Sequence, residues 1–113
     1  VSWHSINSQG GIHTIGQKKP NELGLYDMTG NLWEFCLDDM SRKAYSLTEK
    51  HNPFWGDSTD ETATNPPSTT KLKVLRGSGY EFAANESKVF FRDGATSNVR
   101  MADIGFRLAM SKQ

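Results

Sequence analysis

The sequence predicts a small, loop-rich fold made of short strands, with no helix longer than about three turns. The chain has 113 residues, which is enough for one domain or part of one. Hydrophobic residues make up 35% of it, below the usual share, and Gly, Asn, Ser and Thr are frequent, as in turns. Much of the apolar content is aromatic, with three Trp, three Tyr and six Phe, so a few large rings must supply most of the buried surface.

Charge and cysteine content exclude several classes of function. Thirteen basic residues balance thirteen acidic ones, so nothing attracts nucleic acid or an anionic membrane over long range. No apolar run approaches the length of a membrane span. The single cysteine, Cys36, cannot form an internal disulfide, and its apolar neighbours Phe35 and Leu37 favour a small buried hydrophobe over a nucleophile.

Apolar patterning predicts the elements of the first half of the chain. Residues 32–37 (LWEFCL) form the most apolar segment, predicted to be a strand buried on both faces, in which Glu34 needs a partner. A Gly-Asn turn precedes this strand, and a short helical turn is expected over residues 38–46. Shorter strand-like pieces are expected at residues 12–15 and 24–28.

The second half is predicted to contain a long surface loop and three strands. Residues 47–70 are polar and contain three prolines, so we expect a surface insert that Phe54 and Trp55 hold against the body. A bend at Gly77–Gly79 is expected because glycine permits it. Strands are predicted at residues 71–76, 89–92 and 104–110, with a loop of small residues at 93–98.

Two carboxylates bracket the Gly-Asn turn and suggest a cation site. A bend between Asp27 and Glu34 brings them together, and the carbonyls of Gly30 and Leu32 can point the same way along an extended segment. Carboxylate and carbonyl oxygens are the hard ligands that calcium prefers. The alternative is that Asp27 caps a turn and Glu34 pairs with an arginine, such as Arg76 or Arg107.

The stretch from Tyr80 to Met101 has the composition of a recognition surface. It combines rigid aromatic rings with charged residues and small adaptable polar residues. The alternative is that alternate rings pack into the core and the rest is ordinary loop.

Two motifs resemble the formylglycine-generating enzyme, or sulfatase-modifying factor, family. The first is IGQKKPNELGLYDMTGNLWEF, and the second combines VLRGSGY, Arg92, Arg100 and DIGFRLA. The resemblance implies a variant of the C-type lectin fold, which is α+β with small twisted antiparallel sheets and few short helices. It also implies that residues 1–113 are the C-terminal part of a single such domain, whose N-terminal half is a partner.

The resemblance also has consequences for cofactors. The family's calcium ligands correspond to Asp27, Gly30, Leu32 and Glu34, the set already selected by ligand chemistry, and such a calcium ion would be structural. The two cysteines that hold copper in the enzymes correspond to Phe82 and Ser87. Because copper(I) needs soft thiolate ligands, the resemblance implies no copper and no oxidase activity.

One branch of this family consists of ligand-binding proteins diversified by retroelements, in which the stretch before IGFR is variable. Here the resemblance implies a non-catalytic module that binds a protein or other macromolecule, at the cell surface or outside the cell. A metal-dependent oxidoreductase completed by the N-terminal half is the alternative, and a purely structural domain is a third interpretation. The expected ligand contacts are Tyr80, Glu81, Phe82, Phe91, Asp93, Ala95, Val99 and Met101.

Overall fold

A computed structural model of the protein describes residues 2–41 and 72–109. These residues form one four-stranded sheet with the order β3-β2-β1-β4. The strands are β1 (Trp33–Asp39), β2 (Leu72–Arg76), β3 (Arg92–Thr96) and β4 (Ile104–Gly105). Strand β2 pairs antiparallel with β1 and β3, whereas β4 pairs parallel with β1. The described residues are sheet-rich and contain no helix, so the predicted short helices are not seen there.

The two central strands lie close to where the apolar pattern predicts them. Strand β2 coincides with the alternating segment at residues 71–76, and β1 starts one residue later than predicted. However, β1 continues through Asp39, so the expected helical turn is wrong for its first two residues, and most of the rest lies outside the described residues. Leu37 is 75% exposed, so β1 is not buried on both faces as predicted.

Strand β3 differs from its prediction. The strand expected at residues 89–92 lies at Arg92–Thr96, within the segment of small residues expected to be a loop. Pairing with β2 sets this position, because Leu75 lies opposite Asp93 and Lys73 lies opposite Ala95. Cross-strand neighbours decide which residues form a strand more strongly than intrinsic preference does.

The closing strand is shorter than predicted. Only Ile104 and Gly105 pair, opposite Trp33 and Glu34 of β1, and the chain then leaves the sheet. The short strands predicted at residues 12–15 and 24–28 are also absent, since the described chain there forms turns and irregular loops. The predicted surface insert at residues 47–70, with its two aromatic residues, lies outside the described residues.

The core combines one buried aromatic residue with two aliphatic ones, so the aromatic core that the composition predicts is seen only in part. Trp33, Val74 and Leu75 are buried, with exposed fractions of 4%, 4% and 5%. The Phe82 ring meets the Trp33 indole edge-on with centroids 5.4 Å apart, and the Phe91 ring lies tilted 6.3 Å away. Such edge and tilted contacts suit the charge distribution of aromatic rings.

The irregular N-terminal segment is tied to the turn before β1. Trp3 forms an isolated parallel bridge with Gly30, and the His13 ring stacks on the Trp3 indole with centroids 3.6 Å apart. Lys18 places its ammonium group 3.8 Å from the Trp3 ring. Gly30 has φ +74°, and a Cβ there would collide with the carbonyl oxygen of Trp3, so only glycine fits.

Candidate functional site

The four residues predicted to bind calcium line one cavity. Asp27, Gly30, Leu32 and Glu34 all contribute to a space of about 400 Å³ beside the β1–β4 pair. The rest of the lining is mainly apolar and includes Ile15, Leu25, Tyr26 and Phe106. The bend between the two carboxylates therefore places all four predicted residues along the wall of one cavity.

Asp27 is held by the preceding loop. Its Oδ2 atom accepts a hydrogen bond of 2.7 Å from the Gly16 N–H, whereas its Oδ1 atom is buried and has no hydrogen-bond partner among the described residues. Its backbone has φ +52°, a conformation that Asp tolerates better than most residues. A buried carboxylate oxygen without a partner is costly, and a bound cation would remove that cost.

Glu34 pairs with Arg107, one of the two arginines named in the alternative interpretation. The Arg107 Nε and Nη2 atoms donate to the two carboxylate oxygens of Glu34. Nη2 also donates to the Asp27 carbonyl at 2.9 Å, and Nη1 donates to the Tyr26 carbonyl at 3.1 Å and to Met28 Sδ at 3.2 Å. The hydrogen bonds to Glu34 raise the pKa of Arg107 above its ordinary value, although its burial acts in the opposite direction.

The donor set has the chemistry that calcium requires, but part of it is already engaged. The Gly30 carbonyl accepts a hydrogen bond of 2.9 Å from the Leu32 N–H, and both carboxylate oxygens of Glu34 accept from Arg107. Carbonyl oxygens have two lone pairs, and the carboxylate of Glu34 has about four acceptor sites, so all can take a further partner. The donor types present therefore suit a calcium ion, which would have to share Glu34 with Arg107. The described residues contain no cluster of three or more His, Cys, Asp or Glu side chains able to hold a metal.

Asn31 organises this region, although no sequence pattern marks it as a site residue. Its amide oxygen accepts from the His13 N–H and its amide nitrogen donates to the His13 carbonyl, both at 2.9 Å. Its own backbone N–H donates to Trp3, and its carbonyl accepts from Tyr80, again at 2.9 Å. The residue is 3% exposed and has φ +66°. The Gly-Asn pair signals a turn, but nothing in the sequence identifies His13 as the partner.

The predicted ligand contacts fall into two groups. Phe82 and Phe91 lie beside Trp33, where Phe82 belongs to the aromatic packing and is only partly exposed, whereas Phe91 is 41% exposed. The Tyr80 N–H donates to the Asn31 carbonyl. Glu81 is exposed, and its carboxylate accepts a hydrogen bond from the Tyr80 side chain, which is the main reason why the pKa of Tyr80 is raised. This group presents aromatic and acidic surface together.

The second group follows β3. Asp93 and Ala95 lie two residues apart, so they project from the same face of this strand. Asp93 Oδ1 accepts a hydrogen bond of 2.7 Å from the Gly94 N–H. The Val99 N–H donates to the Thr96 carbonyl just beyond the strand, and Met101 is 56% exposed.

Comparison with known proteins identifies the family. The family model of the Sulfatase-modifying factor enzyme 1-like domain matches residues 2–112. The chain belongs to this family. The resemblance inferred from the two sequence motifs is therefore confirmed.

Two curated proteins resemble the chain along most of its length. The Formylglycine-generating enzyme of Streptomyces coelicolor is 30% identical over 80% of the chain, which covers 26% of that protein. The Chaperone protein LppX of Paenibacillus barcinonensis is 28% identical over 98% of the chain, which covers 32% of that protein. The chain thus spans about a quarter to a third of the length of these relatives.

Two solved structures share the fold. Treponema denticola variable protein 1 matches with a TM-score of 0.66 and 30% identity, covering 93% of this chain and 34% of that one. The crystal structure of CarF matches with a TM-score of 0.55 and 24% identity, covering 84% and 26%, and it bears on the fold alone.

Phe82 and Ser87, the positions at which the resemblance places the enzymes' copper-binding cysteines, both take part in the packing of the fold. The Phe82 ring packs against Trp33, and Ser87 is 8% exposed, with its hydroxyl donating to the Ala83 carbonyl at 3.3 Å. Cys36, the one thiol, lies half-buried in β1, where burial raises its pKa although Arg76 acts against that effect. No helix among residues 2–41 and 72–109 is long and apolar enough to cross a membrane.

Proposed function

We propose that this family member is a non-catalytic binding module of the kind diversified by retroelements. The similarity to Treponema denticola variable protein 1 over 93% of the chain is the observation that carries this proposal. The ligand would be a protein or another macromolecule, and the module would act at the cell surface or outside the cell.

The chemistry of the site supports binding rather than oxidation. The oxidase reaction of the family needs two thiolates to hold copper(I), and Phe82 and Ser87 supply none. The raised pKa of Cys36 also keeps this thiol protonated, which disfavours nucleophilic chemistry. The ligand surface would consist of the two groups described above, namely Tyr80, Glu81, Phe82, Phe91, Asp93, Ala95, Val99 and Met101.

The gene's surroundings test the assignment to the retroelement-diversified branch. We expect a reverse transcriptase gene nearby, with a template copy of the region that encodes residues 80–107. Sequences from several isolates should then differ mainly between residues 80 and 103. Uniform sequences and no template copy would contradict the assignment.

Binding experiments test the surface itself. Binders selected from a displayed library of immunoglobulin variable domains should lose affinity for a variant with Glu81, Phe91 and Asp93 changed to alanine. Phe82 stays in place because its ring packs against Trp33 and its removal would disturb the core. Binders that ignore the triple substitution would count against this surface.

The 30% identity to the Streptomyces coelicolor Formylglycine-generating enzyme favours one alternative. In that case the chain would belong to a metal-dependent oxidoreductase whose site the N-terminal half completes. Metal analysis of the full-length protein separates the two functions, since bound copper or iron favours the enzyme and calcium alone favours the binding module.

The N-terminal half of the family domain is also a proposed partner. The chain spans only 26% to 34% of the similar proteins. Large apolar side chains are exposed on and near the cavity, where Ile15 is 78% and Phe106 75% exposed. Surfaces of this kind mark sites that another part of a protein covers.

We further propose that calcium binds at Asp27, Gly30, Leu32 and Glu34 and is structural. The buried Asp27 Oδ1 atom without a partner supports this proposal. At a free calcium concentration 100 times Kd, the ion adds about 2.7 kcal/mol to the free energy of unfolding. Chelation should then lower Tm by roughly 10 °C or more in a chain of this size.

Two variants make the calcium test specific. Asp27→Ala should abolish the response of Tm to chelation, whereas Asp93→Ala, outside the cavity, should leave it unchanged. An unchanged Tm of the parent protein after chelation would rule out structural calcium.

A further inference from the structure

A β-turn carries two large apolar side chains at its tip. The Phe91 N–H donates to the Lys88 carbonyl at 2.9 Å, which closes the turn and leaves Val89 and Phe90 at its centre. Their exposed fractions are 61% and 66%. Turn centres usually hold Gly, Pro, Asn or Asp, because these residues suit the backbone geometry and water. Neither turn preference nor packing against other described residues therefore explains these two side chains.

Two contacts hold the backbone of this turn in place, one from the Arg76 side chain and one through the Phe91 ring. Arg76 of β2 donates from Nη1 to the carbonyl oxygens of Val89 at 3.3 Å and of Phe90 at 2.9 Å. Immediately after the tip, the Phe91 ring lies against Trp33. The turn is thus preorganised while its two apolar side chains remain exposed, and preorganisation lowers the entropic cost of binding.

Charges around the turn favour a protein partner over a membrane. Residues 80–101 contain three basic side chains and three acidic ones, so their net charge is zero. Anionic membranes recruit apolar tips through clusters of basic residues, which this region lacks. Lys88 places its ammonium group 5.5 Å from the centre of the Phe90 ring, so the tip presents an aromatic ring and a cation together.

We propose that Phe90 is the anchor of the ligand surface and inserts into an apolar pocket of a protein partner. The rim of that pocket carries a carboxylate that faces Lys88. Aromatic side chains are enriched at the centres of protein interfaces, where a few residues dominate the binding energy. This inference rests on the proposed binding function and identifies the partner's surface chemistry.

The test uses immunoglobulin variable domains selected from a displayed library against the whole chain. We expect most independent binders to lose at least about tenfold in affinity for Phe90→Ser and several-fold for Lys88→Glu. Phe90→Tyr should keep most of the affinity. Ile6→Ser is the matched control, since Ile6 is more exposed, at 84%, but lies outside the ligand surface. Unchanged urea unfolding would verify that each variant is folded.

The possible outcomes separate this inference from the proposed function. Binders that tolerate Phe90→Ser but not the triple alanine variant would overturn the anchor and leave the ligand surface standing. Binders that tolerate both would overturn both. Flotation with vesicles containing phosphatidylserine, abolished by Phe90→Ser, would overturn the protein partner in favour of a membrane.

Discussion

The hydrogen bonds of Asn31 provide the sharpest test of how this fold is held together. Its side-chain amide joins the N–H and the carbonyl of His13, 18 residues away in sequence, through two bonds of 2.9 Å. Replacing Asn31 with alanine leaves the backbone N–H and the carbonyl of His13 without these partners at a part-buried site. Each lost bond lowers the free energy of unfolding by about 1–2 kcal/mol. A left-handed φ of +66° costs alanine roughly a further 1 kcal/mol. The expected loss of about 3–5 kcal/mol is a large part of the stability of a small domain.

Asn31→Asp separates the donor from the acceptor. The substitution keeps the oxygen that accepts from the His13 N–H but places a negative oxygen against the His13 carbonyl. Because only the protonated carboxyl can donate there, folding raises the pKa of the introduced group. The variant should therefore be least stable at neutral pH and should recover stability, relative to the parent, as the pH falls through that raised pKa.

Urea unfolding at pH 7 and pH 4 measures these effects, with Asn21 as the matched control. At an exposed site, the side-chain oxygen of Asn21 accepts from the N–H groups of Leu23 and Leu25. These two bonds use the amide oxygen and not the amide nitrogen, so the change to Asp preserves them. Asn21→Asp should change the free energy of unfolding by no more than about 0.5 kcal/mol. If Asn31→Asp costs no more than Asn21→Asp at pH 7, the proposed role of the amide donor is wrong.

Three further outcomes follow from backbone strain and local charge. Gly30→Ala should cost at least about 3 kcal/mol because its Cβ meets main-chain atoms, whereas Gly24→Ala, with φ +77° and open space, should cost only about 1 kcal/mol by urea unfolding. Ser78→Gly should add roughly 1 kcal/mol of stability, since Ser78 has φ +66° and a buried hydroxyl without a partner; a lower urea midpoint would refute this. Glu81→Gln should lower the pKa of Tyr80 in an ultraviolet titration, because the Glu81 carboxylate is the main cause of its elevation, and an unchanged titration would argue against that bond.

The central strands could be predicted from the sequence because their signals are local. Alternation identifies β2, and an apolar run rich in aromatic residues identifies β1. The position of strand β3 could not be predicted from a local pattern, because pairing with β2 determines which residues form the strand. A side chain at Gly94 would lie 3.3 Å from Cγ of Met40 and would have to displace it, so the packing favours a small residue at a position where small residues suggest a loop.

The sequence indicated which donor atoms the candidate site offers, but not which side chains pair with one another there. Two carboxylates around a turn pointed to four residues, Asp27, Gly30, Leu32 and Glu34, that all line the cavity, and calcium binding there stays a prediction. The arginine that pairs with Glu34 could only be narrowed to two candidates, since the choice depends on how the chain leaves β4. The exposed tip at Val89 and Phe90 was predicted to be a strand because β-branched and aromatic residues favour strands. Its carbonyls are instead held by Arg76, a contact between separate parts of the chain.

The Glu34–Arg107 pair bears on how strongly calcium would act. The Arg107 guanidinium already links the Glu34 carboxylate to the carbonyls of Tyr26 and Asp27. A positive group therefore lies beside the segment before β1 even without a metal ion. A calcium ion beside it would share the Glu34 carboxylate and be repelled by the guanidinium, and the Asp27 oxygen without a partner would have to offset that repulsion. Calcium at this place should therefore add to a structure that Arg107 already holds, and its removal should lower Tm without unfolding the chain.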